Sequence, residues 1–436
     1  MNASRPGESI QSPEAAAREL LGSCLEGRAW PPAALEQLVG DALSGDAGRA
    51  APASQALFGI LVEGLSDSFE PRLCEVYAEL FSRVIERVRP ELSARELVAR
   101  YARVRRAKHF TGEAERVRTV FVLSRVTLGA DVAVTSILLD AAKKRFPRAE
   151  VRLVGPRKGY ELFSADPRIR HQPVSYGRGA SLDKRLAGWP ALRDSLHAPN
   201  SIVVDPDSRL TQLGLLPVCE EERYYFFESR SYGGESAESL YTLTRRWATA
   251  TFKVHEARAF IAPAERTEGG SEPYIAISLG VGSNPGKRLP GSFEQDLVQA
   301  LLERGYRIWI DKGGGGEETE RVERIVQSVG AASPHLRAWH GAFAPFASLI
   351  AQSRLYLGYD SAGQHVAAAS GVPLVTVFAG AVSARMLARW TPVSRAPVAI
   401  IPASPENVRE VLRRALDAVD ALWAGAGRAP QRQASE

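Results

Sequence analysis

The sequence predicts an α/β protein made of two doubly wound units, each on a parallel sheet, preceded by an all-helical N-terminal domain. Three observations predict it. Residues 119–155 read as a strand, a glycine-containing turn, an apolar helix and a second strand. Residues 355–380 repeat that order with a small-residue helix, and before residue 110 the apolar residues recur at three-to-four spacing instead. A chain of 436 residues holds two or three domains of ~100 to 200 residues each. The expected units are 1–112, 113–263 and 274–424.

In the first unit, Ser12-Pro13-Glu14 reads as a helix start, and Ser93-Ala94-Arg95-Glu96 as a capping box that opens the next helix. Between them, ALFGILVEGL and LCEVYAELFSRVIERV carry an apolar stripe. The cations Arg100, Arg103, Arg105, Arg106 and Lys108 are expected on a solvated helix face. The unit is expected to pack on the rest of the chain or to mediate assembly; a substrate-recruiting module is the alternative.

Composition narrows the class. The chain is 45% hydrophobic and 24% charged, as in soluble globular proteins. Its net charge of +5 does not call for nucleic acid; an anionic substrate or peripheral association with a membrane surface fits as well. Cys24, Cys74 and Cys219 are too few and too scattered for a disulfide framework or a thiolate metal site. The first twenty residues lack the basic start and apolar core of a secretory signal, and no run reaches ~18 apolar residues. A cytoplasmic location is expected.

The second unit opens with the strand TVFVLSRV, a turn that ends at Asp131, and a helix that runs to Arg145-Phe146-Pro147. An acid at that point can stabilise the helix dipole or face a ligand. From residue 152 to 185 eight cations, Arg178 among them, face three anions, and are expected to be solubilising charge. A further strand, SIVVD, ends at Asp205-Pro206-Asp207. That triplet has the form of a metal-binding carboxylate pair, but a turn role for Pro206 and Asp207 is the expectation.

Residues 264–273 form a polar linker. After it, YIAIS leads into a loop with Gly280, Gly282, Gly286 and Lys287. The spacing approaches a dinucleotide fingerprint with Asp311 as its ribose acid, yet Pro285 and Pro290 delay the helix to about Phe293. The strand YRIWID is followed by Gly313 to Gly316 and by Glu317-Glu318, which either start a helix or meet a ribose. An amphipathic C-terminal helix and a loose tail, 429–436, close the chain.

Between the strands at 355 and 374 lies Asp360-Ser361-Ala362-Gly363-Gln364-His365. A helix opening there points unpaired N–H groups and its positive dipole end above a strand, where a phosphate is well held. Gly363 permits close approach, Ser361 adds a hydroxyl, and His365 lies one turn in. The plainer alternative is a capped core helix with an interior histidine.

Asp360, His365, the alanines 367–369, Pro373 and Phe378 resemble the late motif of glycosyltransferase family 9, the heptosyltransferase-like enzymes: Asp-Thr-Gly-x-x-His, alanines, a proline and a strand ending in Phe/Tyr-Gly. Ser361, Ala362 and one extra residue before Gly380 are departures. The turn before Arg145-Phe146-Pro147 resembles the family's N-terminal signature, with Ala130 inserted between Gly129 and Asp131. The resemblance covers roughly 118–420. It implies two Rossmann-like domains facing across a cleft, the GT-B arrangement, and an inverting transfer of a heptose-like sugar from a nucleotide diphosphate to an acceptor hydroxyl on a glycan or glycolipid, as in lipopolysaccharide or other cell-surface glycan synthesis. It also implies Asp131 as the base, Lys287 on donor phosphate, Glu317 or Glu318 on the ribose, residues 360–365 around the donor, and Asp205 in the acceptor domain. No metal and no cofactor beyond the nucleotide-sugar substrate is implied. A sugar-nucleotide epimerase and a non-catalytic GT-B-like binding protein are the alternatives.

Overall fold

The structure is a computed structural model that describes residues 11–426 apart from 178, 283, 331, 332 and 382. Arg178 and the tail 429–436 named above therefore lie outside the described residues. Two sheets form. The first holds β1 (Thr119–Leu123), β2 (Glu150–Gly155), β3 (Ile169–Pro173), β4 (Ser201–Asp205) and β5 (Tyr224–Phe226), ordered β3-β2-β1-β4-β5. The second holds β6 (Ile275–Ser278), β7 (Ile308–Asp311), β8 (Leu336–Trp339), β9 (Leu355–Tyr359), β10 (Leu374–Ala379) and β11 (Val398–Ala403), ordered β11-β10-β9-β6-β7-β8. The described pairings are parallel, with registers such as Val120 opposite Val151 and Ile277 opposite Leu357.

Each order reverses once, between β1 and β4 and between β6 and β9. In open α/β sheets ligands bind outside the carboxyl ends of strands at such a reversal. The segments that leave these four strands carry Asp131, Asp205, Lys287 and Asp360.

The N-terminal helices are Pro13–Leu25, Pro32–Ala42, Ala47–Ala56, Pro71–Val88 and Ala94–Val104. The third continues through a π segment, Leu57–Val62, into a last helical turn, Glu63–Asp67. Leu57, Tyr77, Phe81, Leu97 and Tyr101 share one buried cluster with Phe121, Leu123, Val154 and Val203 of the first sheet. The helical region thus covers a face of that sheet that would otherwise leave apolar strand residues in water.

Two expectations for this region are corrected. Ser93 makes no side-chain cap; Glu86 of the preceding helix accepts from the Ala94 amide at 2.9 Å in its place. The basic run is a solvated face only in part, at Arg103 and Arg106. Arg100 is 6% exposed and donates to the Gly214 carbonyl at 2.9 Å, Arg105 pairs with buried Glu228 at 2.9 Å, and Lys108 donates to the Glu221 carbonyl at 2.7 Å. Charge patterning cannot see these partners because they lie more than a hundred residues away.

The same helices hold a loop of uncommon backbone. Gln212, Leu213 and Gly214 are consecutive left-handed residues, with φ of 44°, 59° and 89°. Outside glycine such a conformation costs about 1–3 kcal/mol and persists where the surroundings over-determine it. Here Tyr77 donates to the Gln212 carbonyl at 3.1 Å, buried Arg230 to that of Leu213 at 3.3 Å, and Arg100 to that of Gly214.

The halves meet along the Ala384–Trp390 helix. Arg389, 1% exposed, donates to the Glu238 and Gly234 carbonyls at 2.8 and 3.0 Å, and Arg385 pairs with Glu235. The C-terminal helix, Val408–Ala426, packs on the second sheet through Val411, Ala415 and Val419. Among the described residues no helix is long and apolar enough to cross a membrane.

Candidate functional site

The second sheet presents Lys287 and Asp360 to each other across its reversal. Lys287, in the short 3-10 turn Pro285–Lys287, places its Nζ 2.6 Å from Asp360 Oδ2. Asp360 is buried, and Gln364 Nε2 donates to its other oxygen. Ser361 precedes the Ala362–Ser370 helix in an extended conformation, and its buried hydroxyl meets that of Tyr356. The amides that open the helix have no intrahelical acceptor, so they are free to meet an anion beside the Lys287–Asp360 pair.

His365 lies one turn into that helix, 7% exposed, with its ring 5.8 Å from that of Trp390. Burial pushes its pKa down to about 4, the Asp360 carboxylate opposing and the Lys287 ammonium adding to the shift. It is therefore a neutral imidazole at pH 7.

The sequence left Glu317 and Glu318 undistinguished; the structure separates them by direction. The Glu317 side chain is 85% exposed. Glu318 turns inward, where a Cβ on Gly280 or on Gly313 would collide with its carboxylate. Burial raises its pKa. The two glycines thus make room for Glu318 between the loops that leave β6 and β7.

Across the cleft, the turn after β1 abuts the donor-side helix: a Cβ on Gly129 would lie 3.3 Å from both Ala362 Cα and His365 Cδ2. The helix that follows has a π segment, Asp131–Thr135, between Leu128–Ala130 and Ser136–Arg145. A π turn takes up one extra residue, the length added by Ala130, and such bulges are frequent at functional sites. Asp131 is 1% exposed. It accepts from Ser124 Oγ at 2.7 Å, the Arg125 amide at 2.7 Å and Thr135 Oγ1 at 2.8 Å. Burial nonetheless raises its pKa, against these three bonds, each of which favours the ionised form.

Asp205 and Asp207 have different hydrogen-bond partners. Asp205, fully buried, accepts from the Ser208 amide at 2.7 Å, Thr211 Oγ1 at 2.5 Å and the Tyr224 hydroxyl at 2.6 Å, and burial pushes its pKa up to about 6. Asp207 has a φ of 68°, as a turn residue can, and also forms a buried ion pair with Arg230 at 2.9 Å. The sequence reading assigned it the turn and missed the pair.

A model described as glycosyltransferase family 9 (heptosyltransferase) matches residues 217–411. The matched stretch, a little under half of the chain, is similar to that family. The family 9 match takes in Lys287, Glu318 and Asp360 to His365, and does not reach Asp131 or the N-terminal helices. Over 84 residues the chain is 33% identical to lipopolysaccharide heptosyltransferase 3 of Escherichia coli, which is 19% of this chain and 24% of that protein, so the match spans about a quarter of that relative's length. A crystal structure of a family 9 glycosyl transferase from Veillonella parvula DSM 2008 superposes with a TM-score of 0.52 at 15% identity, over 71% of this chain and 97% of that one. The Escherichia coli ADP-heptose LPS heptosyltransferase II gives 0.49 at 18% identity, over 71% and 99%. The Veillonella likeness shows the GT-B-like fold of two parallel sheets.

Motif reading passed over Tyr356 and Arg125. Tyr356, on β9, is fully buried beneath the helix opening, where its hydroxyl meets the side chains of Ser278 and Ser361. The one sequence signal for it is the pair of glycines, 358 and 363, on which a Cβ would collide with that hydroxyl. Arg125 carries no signal, because its meaning depends on which segments it meets.

Proposed function

We propose that the chain is an inverting glycosyltransferase that moves a heptose-like sugar from a nucleotide diphosphate, of which ADP is the first choice, to an acceptor hydroxyl on a glycan or glycolipid. The observation that carries this is the convergence of Lys287, Asp360 and the opening of the Ala362–Ser370 helix, set directly against the Gly129–Asp131 turn of the other half. A departing diphosphate is stabilised by a lysine and a helix N-terminus, which carry charge that need not reorganise as the bond breaks. Asp131 is the proposed base, because single-step inversion needs a carboxylate opposite the leaving group. Glu318 is the proposed ribose ligand. The reaction is proposed to be cytoplasmic, where Cys24, Cys74 and Cys219, all unpaired, stay reduced.

The burial of Asp131 under three hydrogen bonds favours one other reading, a GT-B-like protein that binds nucleotide sugars without turning them over. Calorimetric titration with a panel of nucleoside diphosphates and their sugars, ADP-heptose included, followed by turnover assays on every binder, tests both. Binding with release of nucleoside diphosphate supports transfer. Binding without turnover supports the second reading, and no binding to any member of the panel removes both.

A further inference from the structure

The N-terminal helical region does more than cover a sheet. It is fastened to the acceptor half by the Tyr77, Arg100 and Arg105 bonds described above, and Glu63 lies 3.7 Å from Arg209. Phe69, in the loop between the Glu63–Asp67 turn and the Pro71–Val88 helix, reaches the other half. Leu57, Tyr77 and Phe81 belong to the cluster beneath the helices, which holds no donor-half residue among those described. The Phe69 ring, 2% exposed, instead joins the apolar cluster that both halves share, with Val132 and Ala133 from one and Val366 and Met386 from the other.

What Phe69 meets there is the segment from Gly380 to Trp390. Its ring packs edge-on against Trp390 at 6.1 Å, and its carbonyl accepts from Arg385 at 3.3 Å. The indole of Trp390 in turn lies 5.8 Å from the imidazole of His365. At the other end of the segment, a Cβ on Gly380 would lie 2.5 Å from the Gly286 carbonyl oxygen and 3.2 Å from the Lys287 amide. One segment thus touches the Lys287 turn and the His365 helix, while Arg385 and Arg389 tie it to Glu235, Gly234 and Glu238 of the acceptor half.

We propose that the helical region is a brace between the two halves: through Phe69 it fixes the angle at which they meet, with the Gly129 turn against Ala362. Domains joined by a linker move relative to each other by default, and a third element held by both removes that freedom. The backbone of Phe69 records the constraint. Its φ of 55° is a left-handed conformation that a bulky residue rarely adopts, and it persists where the surroundings over-determine it. Here the donor half holds both the ring and the carbonyl. A braced cleft is formed in advance, so a ligand that binds between the halves does not have to order them. The inference concerns the geometry of the cleft and does not rest on the glycosyltransferase reading.

The test measures the separation of the halves in the full chain, with no nucleotide added, by pulsed electron resonance between two spin labels. The labels sit on Arg170→Cys and Arg324→Cys, exposed positions on β3 and on the Glu317–Gly330 helix; Cys219→Ser removes the half-exposed native thiol, and Cys24 and Cys74 are buried. This parent should give one narrow distance. Phe69→Ala and Trp390→Leu should each add a second distance, as loss of the aromatic contact shifts the equilibrium between two arrangements by roughly tenfold. Phe81→Leu, which loosens the helical region's own core away from the donor half, should leave the single distance unchanged. Should Phe69→Ala fail to fold, Phe69→Leu keeps an apolar side chain in the seam and is read in the same way. A broad distance in the parent, a single parental distance in the Phe69 and Trp390 variants, or an equal response to Phe81→Leu overturns the brace.

Discussion

The hydroxyl of Tyr356 occupies the space that a side chain on residue 363 would need. The family motif that this segment resembles has its glycine one position earlier, where this chain has Ala362. The displaced glycine is thus accounted for by packing: a tyrosine beneath the helix opening requires no Cβ at 363, and at 362 an alanine fits. Because the buried Tyr356 hydroxyl meets the side chains of Ser278 and Ser361, Tyr356→Phe should destabilise the fold by about 1 kcal/mol, the net worth of a typical hydrogen bond. Gly363→Ala should destabilise it by about 1–3 kcal/mol through overpacking. Urea unfolding of both variants checks the pair, and a Tyr356→Phe variant at least as stable as the parent would mean that the two serines do not hold this hydroxyl in solution.

Lys287→Ala should weaken nucleoside diphosphate binding by roughly ten- to a hundredfold, because one charge-assisted contact contributes about 1.5–3 kcal/mol. It should also cost stability, since buried Asp360 loses its partner. Calorimetry at a temperature where the variant is folded separates the two effects, and an unchanged affinity there would take Lys287 out of the site.

Asp131→Asn should lower kcat by ~10² to 10⁴ while sparing donor binding, because the amide keeps the size but cannot take the proton. The parent's rate should rise with pH through an apparent pKa above the ordinary carboxylate value, since burial raises that of Asp131 and only the ionised form is a base. A variant within a few fold of the parent would show that the π turn has moved this carboxylate out of the chemistry.

EDTA should leave turnover unchanged. The carboxylates of the Asp205-Pro206-Asp207 triplet are engaged by Thr211, Tyr224 and Arg230, which leaves them poorly placed to share a cation. Loss of activity restored by magnesium or manganese would require that loop to rearrange when substrate binds.

His365 makes a prediction about acid stability. Its folded pKa, about 4, lies below the ordinary value near 6.5, so between these pH values the unfolded chain takes up a proton that the folded one does not. Stability attributable to this residue is complete above pH 6.5 and falls as pH drops toward 4, by roughly 3 kcal/mol in total. Asp205 and Asp311, both raised to about 6, act in the opposite sense, as the folded state gains their protons first. The measurement is thus a difference: His365→Asn should lose less stability than the parent between pH 7 and pH 4.5. Parallel curves would show that the folded state holds this imidazole charged.

What the sequence determined by itself is the framework of the two sheets. The strands legible as apolar runs, β1, β2, β4, β6, β7, β9 and β10, are the interior strands, and β3, β5, β8 and β11, which the sequence did not disclose, are the edges. The reason is physical. An interior strand of a parallel sheet is buried on both faces and reads as a continuous apolar run, whereas an edge strand such as Leu336–Trp339 has no fully buried residue or, like Tyr224–Phe226, is only three residues long. Local spacing likewise disclosed the turn at Asp131 and the helix opening at Asp360, because both are properties of a few neighbouring residues. Only the tertiary structure decided that Glu318 and not Glu317 turns inward, that Asp207 pairs with Arg230, and that Arg100, Arg105 and Lys108 of the basic run attach the N-terminal region to the first half. It alone brought the Arg100 guanidinium to the Gly214 carbonyl, more than a hundred residues away, because charge and burial at such distances depend on which segments meet, and one segment's composition carries no record of its partner.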